Sequence, residues 1–245
     1  TAIFTYTNTP PEATDCSIMP EDPATTDDLV ANYTYYDMDG DPENGTQILW
    51  YKNGQLQPHL NNTLVVPANQ TSKEEIWYFT VKPRDGIDFG ELKQSQNVTI
   101  QNSPPEITSI QIIPDPAYTN DTLTVYVTVY DADGDNVTYT YQWQIYQNGT
   151  WQDLPEATND TLGPENFQKG DQIKIVCTPY DGQDYGTPQE DIIVISNSPP
   201  QIDSHFPTES NVTIYEGQSQ EFNVTCSDID GDNLTITWYI YYAND

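Results

Sequence analysis

Basic residues are nearly missing from this chain. Its 245 residues carry seven Lys plus Arg against 38 Asp plus Glu, a formal net charge of -31 at pH 7. That balance argues against nucleic acid as a partner, because binding it requires basic side chains that displace counterions. An anionic membrane surface is disfavoured for the same reason. Divalent cations are the natural counter-species, although acidity also serves simply to keep a crowded surface soluble. Long apolar runs are missing too. Runs such as Ile192 to Ile195 are far too short to span a bilayer, so no direct membrane insertion is expected of this segment. No signal peptide is visible, and the first residue is Thr, which reads as a processed chain or an excerpt.

Cysteine is scarce and odd in number: Cys16, Cys177 and Cys226. Three thiols cannot all pair within the segment. They are either small buried apolar residues or have partners outside these residues. Each core must then be built by packing rather than by disulfides. The two histidines, His59 and His205, stand alone, and no Gly-x-Ser-x-Gly, His-Glu-x-x-His or phosphate-loop pattern occurs. Carboxylate pairs are so abundant that they carry no catalytic information, so the chain is not expected to be an enzyme. Helical periodicity is also lacking. High charge with mean hydropathy of -0.66 would suit disorder. Against that, the Trp, Tyr, Val and Ile residues alternate with polar ones at the period of half-buried strands.

What the sequence does have is a repeat. Asn8-Thr-Pro-Pro11, Asn102-Ser-Pro-Pro105 and Asn197-Ser-Pro-Pro200 are one linker used three times, 94 and 95 residues apart. The acidic phrases Asp37-Met-Asp39-Gly-Asp41, Asp131-Ala-Asp133-Gly-Asp135 and Asp228-Ile-Asp230-Gly-Asp232 recur in step. Pro83-Arg-Asp85-Gly86-Ile-Asp88-Phe-Gly90 returns as Pro179-Tyr-Asp181-Gly182-Gln-Asp184-Tyr-Gly186. The expected organisation is a final strand of a preceding unit in residues 1–7, a first repeat in 8–101, a second in 102–196 and the N-terminal half of a third in 197–245. Residues 1–7 could instead be donated as a strand to a neighbouring molecule.

In the second repeat, strands are predicted over 107–113, 123–130, 137–146, 151–154, around Thr161-Leu162, 173–178 and 191–195, with a hairpin turn at Asn148-Gly149. Seven or eight short strands in about 95 residues suit tandem immunoglobulin-like β-sandwich domains, an all-β fold. Trp50, Trp143 and Trp238 take equivalent places on the third strand and are expected in the cores. Trp77 and Trp151 lie outside that pattern and are the candidates for ligand stacking.

The phrases Asn-Thr/Ser-Pro-Pro, Asn120-Asp-Thr-Leu123, Tyr130-Asp-Ala-Asp-Gly-Asp135, Trp50-Tyr-Lys-Asn-Gly54 and Pro-x-Asp-Gly resemble tandem immunoglobulin-like or PKD-like (cadherin-like) extracellular repeats of archaeal or bacterial cell-surface proteins. Residues 33–41 and 44–46 are closest to the archaeal kind. The resemblance covers nearly the whole chain. It implies an extracellular, cell-surface location and a structural or adhesive role. Archaeal units of this kind often carry cysteines on both the second and sixth strands. Here Cys177 has no partner on 123–130, and Val81 takes its place in the first repeat, which puts that core disulfide in doubt.

Three carboxylates within five residues repel one another unless a cation lies between them. Calcium accepts six to eight oxygens in irregular geometry. The phrase is not an EF-hand, because its glycine is fourth rather than sixth. In an immunoglobulin-like fold the loop after the second strand lies beside the loop after the sixth, at the end where the domain begins. Asp37, Asp39 and Asp41 are then expected near Asp85, Asp88 and Asn8, and Asp131, Asp133 and Asp135 near Asp181, Asp184 and Asn102. Asp228, Asp230 and Asp232 form the third set. Calcium at these joints would fix successive repeats, as in cadherin-like rods. The alternative is that these are polar turns with Asp and Gly chosen for turn geometry.

Asn-x-Thr occurs at Asn32, Asn44, Asn61, Asn69, Asn97, Asn120, Asn136, Asn148, Asn159, Asn211, Asn223 and Asn233. Twelve such triplets, none with a central proline, exceed what composition produces and point to N-linked glycans on an exported protein. The expected role is a calcium-stiffened, glycosylated structural repeat in a surface filament, sheath or surface layer. Its partners would be copies of itself or neighbouring repeats. An adhesin stalk or ligand-binding module, and a non-catalytic spacer of a secreted hydrolase, are the alternatives.

Overall fold

The computed structural model describes residues 7–239. The structure is all-β, with tandem immunoglobulin-like sandwiches joined by the short Asn-Ser/Thr-Pro-Pro linkers. By contact the chain falls into two compact units. Among the described residues, one holds 7–106 with 130–138 and 180–186; the other holds 107–129, 139–179 and 187–239. No helix among the described residues is long and apolar enough to cross a membrane.

In the first repeat the strands are β1 (Glu12–Met19), β2 (Leu29–Tyr36), β3 (Gln47–Lys52), β4 (Gln55–Leu56), β5 (Val65–Val66), β6 (Ile76–Lys82), β7 (Lys93–Gln94) and β8 (Val98–Thr99). They form one sheet ordered β1-β2-β5 and another ordered β4-β3-β6-β7, with β8 also on β6. The second repeat follows with β9 (Glu106–Ile113), β10 (Ala117–Tyr118), β11 (Leu123–Tyr130), β12 (Thr138–Gln147), β13 (Thr150–Asp153), β14 (Thr161–Leu162), β15 (Gln172–Tyr180) and β16 (Gln189–Ser196). Its sheets are β14-β11-β9 and β10-β16-β15-β12-β13. The predicted strands of this repeat are all present. The short β10, which pairs in parallel with β16, is additional to them. Two residues between turn signals give no periodicity to detect.

The alternation has a direct physical consequence. β2 and β11 share one pattern of buried and open positions along their eight residues, with only their first and third side chains, Leu29 and Ala31 or Leu123 and Val125, fully inside. Asn53-Gly54 and Asn148-Gly149 all have positive φ, between 48° and 83°. That is the backbone twist a two-residue hairpin needs, and it joins β3 to β4 and β12 to β13.

Trp50 and Trp143 are wholly buried, and each indole N–H donates to a backbone carbonyl, Thr63 or Asn159, at 3.0 Å. Around Trp50 pack Trp77, Phe79, Leu29 and Val66; around Trp143 pack Leu123, Ile112, Ile173, Ile175 and Ile195. Trp77 is therefore a core residue and not a ligand platform. It is 1% exposed and edge-on to Trp50 at 6.4 Å between ring centroids. Its place on β6 puts it inside because that central strand is covered along most of its length. Trp151 is half-buried against Tyr146, with the Lys174 ammonium 4.7 Å from its ring centre.

The third repeat differs. Its described strands are β17 (Gln201–Phe206) and β18 (Asn223–Ser227), paired antiparallel. Trp238 lies outside any described strand and is 59% exposed, against the expected core position. Among the described residues no second sheet faces it. Residues 1–6 and 240–245, which hold most of the expected final strand of a preceding unit (1–7) and the last residues of the expected third-repeat half (197–245), lie outside the described residues.

Cys177 is buried on β15, where burial pushes its thiol pKa up to about 11. Cys16 and Cys226 are partly exposed, so the small-buried-residue reading holds for Cys177 alone, and all three are free thiols.

Candidate metal centre

The acidic phrase folds the same way three times, from purely local hydrogen bonds. Oδ1 of its first Asp accepts the backbone N–H groups of the second and third. The distances are 2.8 and 3.1 Å at Asp37, 2.9 and 3.0 Å at Asp131, and 2.9 and 3.2 Å at Asp228. The fourth residue closes the turn at φ between +74° and +79°, which selects Gly40, Gly134 and Gly231. This curl turns the three carboxylates together. In each copy, ligand oxygens from all three lie within 4.8 Å of one another. Unit charges at about 4 Å repel by about 1 kcal/mol per pair even in water, so the fold works against its own electrostatics here.

The second Asp reaches the linker. Thr9 N–H donates to Asp39 Oδ2 at 2.7 Å, Ser103 N–H to Asp133 Oδ2 at 2.8 Å, and Ser198 N–H to Asp230 Oδ2 at 2.6 Å. The linker asparagine reaches the turn after β6 or β15. Asn8 Nδ2 donates to Asp85 at 2.8 Å and Asp88 at 2.9 Å, and Asn102 Nδ2 to Asp181 at 2.7 Å and Asp184 at 2.9 Å. Linker, acidic loop and turn thus meet in the first and second repeats. Asn197 instead bonds the Ser198 carbonyl, and no counterpart turn occurs among the described residues of the third.

These carboxylates have separate tasks. Among the described residues, only the three acidic phrases bring a set of carboxylates within 4.8 Å. Asp85 and Asp181 act as turn caps, their Oδ1 atoms accepting backbone N–H groups two and three residues on at 2.6–2.7 Å. The Asn8 amide, aided by those N–H groups, holds the Asp85 carboxyl below its ordinary value. Burial pushes Asp181 upward, but hydrogen bonds from Asn102 and the backbone outweigh it, so its pKa also falls.

Two basic residues at the site were not foreseen. Lys73 bonds the third Asp of the second phrase, Asp135, and also Gln183 Oε1 at 2.9 Å and Asn102 Oδ1 at 3.1 Å. Lys169 bonds Asp232 of the third phrase. The hydrogen bond to the aspartate raises the pKa of both ammonium groups. Thr25 and Thr119 hydroxyls donate to Asp133 and Asp230. Each lysine stands between a one-turn 3-10 helix, Ala68–Gln70 or Pro164–Asn166, and the following strand. Their offset of 96 residues is the offset of the turn phrase, and this was the available signal.

The residues suit a hard divalent cation. Asp37 is only 9% exposed, and Asp37 Oδ2 and Asp131 Oδ2 are buried without a hydrogen-bond partner. Leaving such an oxygen unmatched costs about 1–3 kcal/mol, more when it is charged. The donors are all oxygens, as calcium or magnesium prefers, with no thiolate or imidazole in any of the three groups. All twelve sequon asparagines are exposed, including Asn223 on β18.

No protein-family model matches the chain, and no curated protein is significantly similar to it. Among solved structures, the chicken interferon gamma receptor alpha chain is 10% identical, with 75% of this chain and 98% of that one covered and a TM-score of 0.40. Two fibronectin type III domains of chicken tenascin are 12% identical, with 74% and 98% covered and a TM-score of 0.32. The N-terminal eight Ig domains of Down Syndrome Cell Adhesion Molecule are 14% identical, with 77% and 25% covered and a TM-score of 0.42. At these scores the fold rests on the strand order described above.

Proposed function

We propose that the chain is a non-catalytic stretch of an extracellular, cell-surface repeat protein whose acidic loops bind calcium. Asp37, Asp39 and Asp41, with Asp131, Asp133 and Asp135 and Asp228, Asp230 and Asp232, would hold one ion per loop. Asp85, Asp88, Asp181 and Asp184 would keep the linker asparagines in register beside them. The repeats of 8–101, 102–196 and 197–245 would then be stiffened at their linkers, as a surface filament, sheath or surface layer requires. Glycans on the exposed sequons would shield strand edges from wrong pairing. The ion would supply positive charge where three carboxylates are forced together; the backbone curl around the first Asp supplies the shape.

One observation carries the reading: the same carboxylate curl occurs three times, and in two copies it leaves a buried oxygen of the first Asp unmatched. Thermal unfolding in calcium and in chelator tests it. Ion saturating at about a hundred times its dissociation constant adds about 2.7 kcal/mol per site. Calcium is expected to raise the unfolding temperature, and the Asp133→Asn variant to lose part of that gain. An unfolding temperature indifferent to calcium would count against the proposal.

A further inference from the structure

We infer that Lys73 and Lys169 stand in for the divalent cation at the second and third acidic loops and must withdraw when it binds. Calcium and a lysine ammonium would exchange there. This rests on the calcium reading proposed above.

The ammonium of Lys73 is ringed by oxygens alone: Asp135 Oδ2, Gln183 Oε1 and Asn102 Oδ1. That is the donor chemistry of a hard cation. Carboxylate and amide oxygens that accept from an N–H can equally face a metal ion. The arrangement is not a chance of one surface. Of seven basic residues in an acidic chain, two occupy the same place in successive repeats and choose the same third Asp of the phrase. The hydroxyl that accompanies each, Thr25 or Thr119, recurs as well.

The lysine is nevertheless an incomplete counter-ion. It brings one positive charge to a loop of three carboxylates, and its contacts end at the third. Asp131 Oδ2 keeps no partner while Lys73 is in place. A divalent ion between the three carboxylates brings twice the charge and can engage the first Asp as well. The lysine can give way, because its side chain remains 22% exposed and its ammonium sits on a flexible four-carbon stem. Among the described residues, no lysine or arginine pairs with Asp37, Asp39 or Asp41. The lysines would thus hold the second and third loops together at low calcium and set the concentration at which the ion takes over.

The test uses the whole 245-residue chain with calcium as the only added ligand. Trace acetylation read by mass spectrometry reports each amine separately. Calcium is expected to raise the labelling of Lys73 and Lys169 several-fold and to leave Lys93 unchanged. In calorimetric titration the double variant Lys73→Met and Lys169→Met should bind calcium about tenfold more tightly at two of its sites, since a competing charge within about 4 Å is gone. The first loop should be unaffected. Calcium bound with the same affinity by both proteins, and unchanged labelling, would overturn the exchange while leaving calcium binding intact. Calcium binding to the variant alone would support it. No binding to either protein would overturn both readings.

Discussion

Trp143 and Trp238 occupy equivalent places in the repeat, yet one is wholly buried and the other is 59% exposed. The acidic loops just before them behave differently. The loop at Asp228 makes the same two hydrogen bonds as the loop at Asp131, to within 0.2 Å, although no two-sheet core is described behind it. The loop is encoded in five residues. The core is encoded only when two sheets face each other. The candidate metal centre is thus the locally specified part of the molecule, and the sandwich that presents it is the non-local part.

The largest expected effect probes the core side of this contrast. Trp143→Ala should cost about 3–5 kcal/mol and Trp238→Ala under about 0.5, read from urea midpoints. Equal losses would mean that Trp238 is buried in solution and the contrast is false. Next comes Asn102→Ala, which removes two hydrogen bonds to carboxylates at once. A loss of about 2 kcal/mol is expected, with little change for Asn197→Ala, whose side chain donates to the Ser198 carbonyl instead. Gly90→Ala should cost about 1–3 kcal/mol, because an added Cβ would lie 1.8 Å from the Pro11 carbonyl oxygen of the linker.

Acid gives a smaller effect. Asp85 and Asp181 are held below their ordinary value of 3.8, so the folded state binds fewer protons than the unfolded one near that pH. The stability they contribute is complete above about pH 5. It is lost as pH falls through 3.8 and then through their lower folded values. Asn102→Ala should move the onset of acid unfolding to higher pH by releasing Asp181; an unmoved onset would show that the asparagine does not hold it. The smallest effect is at the loop itself. Gly134→Ala and Gly231→Ala should each cost about 1 kcal/mol, and equally, if the curl is local.

Much of this was legible in the sequence, for identifiable reasons. The period of the linkers and acidic phrases gave the repeats. Alternation gave β11, and Asn148-Gly149 gave the hairpin between β12 and β13. The meeting of Asn8 with Asp85 and Asn102 with Asp181 followed from which loops share an end of the fold. Other features depend on packing partners that local sequence does not name. Trp77 looked peripheral because its strand does not alternate in sequence; it is central because it shares the inner face of β6 with Phe79 and Val81. Trp238 looked central because its counterparts are. Lys73 and Lys169 sit in unremarkable turns, far in sequence from the aspartates they meet.

The most direct measurement is the calcium held by the whole chain after equilibrium dialysis. It is compared with a variant carrying Asp39→Asn, Asp133→Asn and Asp230→Asn. The account predicts one ion per acidic loop in the parent chain and loss of that calcium in the variant, with far-ultraviolet circular dichroism unchanged. Equal calcium in the two proteins, or none in the parent, would contradict it.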